Sequence, residues 1–193
     1  MEYKPWLSLL AIALTLTAFL PYILSIIRGR VRPHMFSWIT WGITTCVVFF
    51  AQLQGKGGIG AWPIGVSGSI TLFIALLAYL KRGDTTITRV DWVFFAAALS
   101  SLPFWYFTSD PLWAVVILTT VDLFGFGPTI RKAWTFPYSE SQLFFALFTA
   151  RNFFVVLALE HYSVTTVLFP AVMAVACIGL MVMVAYRRRT IVD

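Results

Sequence analysis

The chain has 193 residues, of which 60% are hydrophobic, 17% aromatic and only 11% charged. About a quarter of the residues of a soluble domain are charged, so the composition excludes an ordinary water-soluble globule. The formal net charge of +6 does not mark a nucleic-acid partner, because the Lys and Arg residues stand in short clusters between apolar runs rather than on one soluble face.

Backbone polar groups in hydrocarbon must be satisfied within the segment, so an apolar run of about 20 residues reads as a spanning helix. Breaks at charge and Gly/Pro clusters predict seven spans: Trp6–Ile27, Phe36–Leu53, Ile59–Leu80, Trp92–Phe107, Leu112–Ile130, Ser141–Leu159 and Val164–Tyr186. The first is preceded by Glu2 and Lys4 without a small-residue cleavage site, and reads as a span rather than a removable signal. The fourth is the shortest. Cys46 and Cys177 both fall in apolar runs and predict no disulfide.

The cationic residues orient these spans. One side receives Arg28, Arg30, Arg32, Lys81, Arg82, Arg89, Arg131, Lys132, Arg187, Arg188 and Arg189. The other receives Lys4 and Lys56, and Arg151 lies within a span. By the positive-inside rule the N-terminus is expected outside and the C-terminus in the cytoplasm. The compactness of the chain points to a bacterial inner membrane.

An internal repeat organises the spans. A single constant shift places Pro21 on Pro128 and Pro63 on Pro170, and lays "LLAYLKR" (Leu76–Arg82) over "MVAYRRR" (Met183–Arg189). A slightly shorter shift matches Pro33 with Pro137, Ser37 with Ser141, and Phe49 and Phe50 with Phe153 and Phe154. Spans one to three thus repeat as spans five to seven, with span four as a linker that returns the chain to its starting side. The expected fold is an all-α integral membrane protein of seven transmembrane helices. It has two parallel three-helix repeats (residues 6–82 and 112–189) joined by a linker helix (90–108), a 3+1+3 arrangement. On this reading "DLFGFGPTIRKAWTFPYSES", Asp122–Ser141, is the first inner connection of the second repeat, matched by "PYILSIIRGRVRPHMFSW", Pro21–Trp38.

This arrangement, with a proline near the inner end of the first helix of each triplet, resembles the PQ-loop and SWEET transporter superfamily. The family's Pro-Gln pair stands here as Pro21-Tyr22 and Pro128-Thr129, the proline kept and the glutamine replaced. The resemblance implies a membrane transporter of a small polar solute, such as a sugar or an amino acid. Alternating access would work at a midplane site between the repeats, with Pro21 and Pro128 as gating hinges. It implies no enzyme activity and no cofactor. The implied partners are the solute and the lipid bilayer, without nucleic acid; a homo-oligomer is compatible with it. Relatives include receptors, so a non-transporting, ligand- or partner-binding member of the same fold is the alternative.

The residues expected at the substrate or proton site are polar ones at mid-depth. Asp122 lies near the middle of the fifth span and Arg151 at similar depth in the sixth, beside Asn152. A charge at the bilayer centre costs from about 3 to more than about 10 kcal/mol, so two opposite charges at one depth are expected to pair. The constant shift aligns Asp122 with Thr15 and the shorter one aligns Arg151 with Val47, so this polarity belongs to one triplet only. Trp41 and Thr45 on the second span and Ser67 and Ser69 on the third complete the expected lining; Trp38, one helical spacing from Trp41, reads as an interface anchor.

"GVSG", Gly65–Gly68, also matches the serine motif of rhomboid-type intramembrane proteases, with His161 as the base that a serine nucleophile requires. The same small residues serve equally as a close-packing helix seam. His34 and His161 fall on opposite sides of the membrane without a ligand cluster, so no metal site is expected.

Overall fold

A computed structural model describes residues 3–29, 33, 35–81, 87, 89–139 and 141–190, the side chains at 91, 128, 131, 132 and 139 excepted. Of the expected termini and clusters, Glu2, Arg30, Arg32, His34 and Arg82 lie outside the described residues. Every regular element among the described residues is helical: α1 (Tyr3–Ile27), α2 (Met35–Gln54), α3 (Trp62–Leu80), α4 (Arg89–Thr108), α5 (Pro111–Thr135), α6 (Gln142–Ala158) and α7 (Val164–Thr190). Short 3-10 turns lie at Gly58–Ala61 and Pro137–Ser139. Four helical stretches are long and apolar enough to cross a membrane: Tyr3–Ile27, Met35–Gln54, Gly58–Leu80 and Val164–Thr190. The apolar parts of the other three are shorter, Trp92–Thr108, Pro111–Gly127 and Gln142–Ala158.

Local chemistry sets several boundaries. Pro63 occupies the first turn of α3, where its missing N–H costs nothing. Asp110 accepts from the Leu112 N–H at 2.9 Å at the start of α5, and the Ser141 hydroxyl accepts from the Phe144 N–H at 3.2 Å at the start of α6. Each satisfies a donor that the first turn would otherwise leave orphaned.

One boundary departs from the sequence reading. The expected fifth span ends at Ile130, before the basic pair, yet α5 runs on past position 128 to Thr135. A proline removes one ladder bond from a helix and kinks it without having to end it. α1 likewise runs through Pro21 to Ile27. The extended end of α5 is held by the last turn of α7. Arg187 Nε donates to the Trp134 carbonyl at 2.9 Å, its guanidinium 4.7 Å from that indole's centroid, and Arg188 Nε donates to the Pro137 carbonyl at 3.1 Å. A cation on the final carbonyls of a helix meets its negative dipole end.

Packing does not follow chain order. α3 packs against both α1 and α2, and α7 against both α5 and α6. α1 lies along α6, α2 lies along α5, and α4 covers α5 and α2. The α2–α3 contact is close because it uses small residues: a Cβ added at Gly65 would meet the Phe49 ring at 2.9 Å, and one at Gly68 would meet Cys46 Sγ at 2.8 Å. "GVSG" is therefore a helix seam in this fold.

At the end of the bundle that holds Lys56, the α2–α3 connection is clasped to the α6–α7 connection. The Glu160 N–H donates to the Gly57 carbonyl at 3.0 Å, and the Ile59 N–H donates to Glu160 Oε1 at 3.2 Å. Gln52 Nε2 donates to the Thr166 carbonyl at 2.7 Å and the Ser8 hydroxyl to the Ile59 carbonyl at 2.8 Å. Lys4, expected ahead of the first span, lies within α1, is buried and donates to the Leu159 carbonyl, with its ammonium 5.6 Å from the Tyr162 ring centroid. The clasp needs Gly60, where a Cβ would lie 2.5 Å from the Leu159 backbone nitrogen.

Gly60→Ala is accordingly expected to cost about 1–3 kcal/mol through forced separation of the two connections, read as a lower melting temperature in detergent. Gly179→Ala is the control: an added Cβ there meets nothing within 4 Å, and in a helix interior the change is expected to stabilise by about 0.5–1 kcal/mol.

Candidate functional site

The expected site residues fall into two polar groups, one on the α2–α5 contact and one where α6 meets α1 and α3. On α2, one turn of helix brings Trp41, Thr44 and Thr45 together. The Thr45 hydroxyl donates to the Trp41 carbonyl at 2.7 Å; the Thr44 hydroxyl donates to it at 2.9 Å and, more distantly at 3.4 Å, to Asp122 Oδ1 on α5. Asp122 is half-buried. One turn on, a Cβ added at Gly125 would lie 3.5 Å from Trp41 Nε1, so the indole lies over the glycine backbone. Trp41 is 38% exposed, the most open of this group's α2 side chains.

The second group is sealed. Arg151 is 2% exposed and Asn152 fully buried. Arg151 Nε donates to Thr15 Oγ1 at 3.3 Å, Nη1 to Asn152 Oδ1 at 2.8 Å and Nη2 to the Pro63 carbonyl at 3.0 Å. The guanidinium carbon stands 5.6 Å from the Phe148 ring centroid. Arg151 therefore ties α6 to α1 and α3.

Asp122 and Arg151 do not form the expected pair. Among the described residues no ion pair joins them, and their hydrogen bonds go to different helices. The reason is topological. Chain-consecutive helices were the basis of the pairing, but α7 packs on both α5 and α6, while α5 and α6 find their other partners in α2 and α1. Arg151 meets Thr15, the residue that the repeat aligns with Asp122.

The remaining expected residues are dispersed. Ser67 is buried in α3, and no hydrogen bond joins it to the exposed His161 among the described residues. Ser69 donates to the Gly65 carbonyl at 3.0 Å and lines a groove of about 410 Å³ between α2 and α3, with Phe50, Trp62 and Phe73 at its exposed rim. It stands apart from both polar groups. Pro21 is exposed on α1, and position 128 lies within α5. Trp38, expected as an interface anchor, packs between helices: it stacks on Tyr22 of α1 at 5.1 Å and meets Trp41 edge-on at 5.5 Å. Phe19 of α1 continues this aromatic layer to Phe148 of α6 at 5.4 Å, and Phe148 stacks on Phe144 at 4.7 Å.

Sequence reasoning missed Thr15, the Pro63 carbonyl and Gln52 as partners of buried polar groups. Gln52 is fully buried, with Oε1 unpartnered among the described residues. Its place in the last turn of α2 reads from sequence as an ordinary polar helix end. Among the described residues no group of three or more His, Cys, Asp or Glu side chains is placed to hold a metal ion. Comparison with protein-family models, with curated proteins and with solved structures finds no match for the chain.

Because Asp122 and Arg151 share no partner, their substitutions are expected to add. In a double-mutant cycle of Asp122→Asn and Arg151→Gln, measured by melting in detergent, the coupling is expected within about 0.5 kcal/mol of zero. A coupling above about 1 kcal/mol would restore the direct pair.

Proposed function

We propose that the chain is a seven-span membrane transporter of the PQ-loop and SWEET type. Two parallel three-helix repeats, joined by α4, rock about a midplane site to carry a small polar solute. The observation that carries this reading is the matching of neighbours in the two triplets. α3 sits between α1 and α2 as α7 sits between α5 and α6, and α1 meets α6 as α5 meets α2. Exchanging α1–α3 for α5–α7 leaves this set of contacts unchanged, as a twofold relation between parallel repeats requires. The repeat of prolines and basic endings supports the same relation from sequence. The apolar parts of α4, α5 and α6 each supply about 17 residues, roughly 25 Å of helix, the lower end of spanning length.

Two further features support alternating access. Both polar groups lie where one triplet meets the other, Asp122 and Thr44 on α5 and α2, Arg151 and Thr15 on α6 and α1. The clasp at the Lys56 end also joins one triplet to the other, through Gly57, Ile59 and Gln52 on one side and Glu160 and Thr166 on the other. A gate must be made of bonds between the moving parts, and these are such bonds. In this reading Asp122, Trp41 and Thr45 contribute to the solute or proton site and Pro21 and Pro128 act as hinges.

The test is flux in proteoliposomes with a panel of sugars, amino acids and nucleosides. Uptake of one class is expected, and Asp122→Asn is expected to fold yet abolish uptake or its pH dependence. A folded protein that moves none of the panel, while binding one of its members, would favour a receptor-like role.

The orientation is tested separately. A cysteine at position 56, which is exposed, is expected to react with an impermeant thiol reagent applied from outside in whole cells. One at position 189 is expected to react only after permeabilisation. The opposite pattern would reverse the topology.

A further inference from the structure

We propose that Arg151 and Asn152 form a binding site for a small monovalent anionic group. Arg151 carries a full charge at 2% exposure, and the groups that receive its hydrogen bonds are a hydroxyl, an amide oxygen and a backbone carbonyl, all neutral. The described carboxylates are engaged elsewhere: Asp110 caps α5, Asp122 faces Thr44 and Glu160 holds the clasp. A guanidinium has five N–H donors, and three are used. Asn152 adds a further donor: its Oδ1 is taken by Arg151 while its Nδ2, fully buried, has no partner among the described residues. That nitrogen lies one amide's breadth from the guanidinium.

The site thus presents unused donors and a positive charge that no described carboxylate balances. A neutral polar ligand would satisfy the donors and leave the charge. A carboxylate or a halide satisfies both, and charge-assisted bonds of this kind are about twice as strong as neutral ones. A purely structural tie between α6, α1 and α3 has no use for the charge, which costs several kilocalories per mole in apolar surroundings.

Access follows from the clasp. Pro63, whose carbonyl receives Nη2, comes directly after the Gly58–Ala61 turn and Trp62, and Glu160 and Gly60 hold that turn against the end of α6. Release of the turn opens a path to the guanidinium from the Lys56 end. This route rests on the transporter reading; the affinity for an anion does not.

The experiment uses the full chain in detergent, in a chloride-free buffer of a bulky sulfonate, and reads the melting temperature against added acetate, lactate, chloride or acetamide. Once a ligand exceeds its dissociation constant, each tenfold increase is expected to raise the melting temperature by about 3–5 °C. Acetamide, neutral and of similar size to acetate, is expected to give no shift. Response to the carboxylates over chloride assigns the site to the carboxylate of an organic solute, and response to chloride alone assigns it to a free halide. Arg151→Gln is expected to abolish the response.

Asn152→Asp guards against a variant that merely fails to fold. It keeps the oxygen that accepts from Nη1 and replaces the unpartnered nitrogen with the missing negative charge. It is expected to melt above the wild type in anion-free buffer and to respond to no anion. No shift with any anion, or an Asn152→Asp protein that melts below the wild type, would overturn the proposal. Anion binding without flux of any solute would leave the site standing and remove the transporter reading; flux without any anion effect would do the reverse.

Discussion

The guanidinium of Arg151 is the point at which three helices are fixed to one another, the charged centre of a buried group of otherwise neutral polar side chains. α6 reaches α1 through Thr15 and α3 through the Pro63 carbonyl, and each bond holds because water is not there to compete for it. A Lys in this place would offer a point charge on a flexible stem. The planar fork of Arg instead fixes three directions at once. Once α6 is set against α1 and α3, its end lies beside the Gly58–Ala61 turn, and Glu160 in the connection that follows meets the Gly57 carbonyl through its backbone amide and the Ile59 N–H through its carboxylate.

The order of packing follows from the same economy of polar groups. Apolar side chains gain nothing by leaving lipid for one another, so contacts between spanning helices depend on close fit and on buried hydrogen bonds. Small residues let α3 approach α2 at Gly65 and Gly68. α3 packs between α1 and α2, and α7 between α5 and α6, so in neither set is the middle helix the one that comes second along the chain. Asp122 on α5 and Arg151 on α6 then find different partners, Asp122 on α2 and Arg151 on α1 and α3.

Much of the fold was legible because apolar runs of spanning length are long, strongly biased signals. The seven helices fall within a few residues of the expected spans, and the end of α5 at Thr135 is the clearest exception. That miss arose from reading the basic residues after Ile130 as a helix-ending signal. What extends the helix is a tertiary contact from Arg187, which a local reading does not contain. The candidate site was legible only in part. The depth of Asp122 and Arg151 can be counted along the sequence; their azimuth depends on which helices are neighbours. The three-residue periodicity of α2 placed Trp41 near Thr44 and Thr45, whereas nothing in the sequence distinguishes Ser67, which is buried, from Ser69, which faces a groove.

The clasp at the Lys56 end has an energetic character set by its composition. Several of its acceptors and donors are main-chain groups: the Gly57, Ile59, Leu159 and Thr166 carbonyls and the Ile59 and Glu160 amides. Such groups exchange a protein partner for water at a net difference of only about 1 kcal/mol each, so the clasp draws its strength from the number of its bonds and not from any one of them. On the transporter reading, parting the clasp hydrates these groups and takes up solvent. The balance between the two states is therefore tied to water activity, and solutes excluded from protein surfaces press it towards the joined form. On that reading osmotic stress acts on this end of the molecule through the number of waters that the joined form excludes.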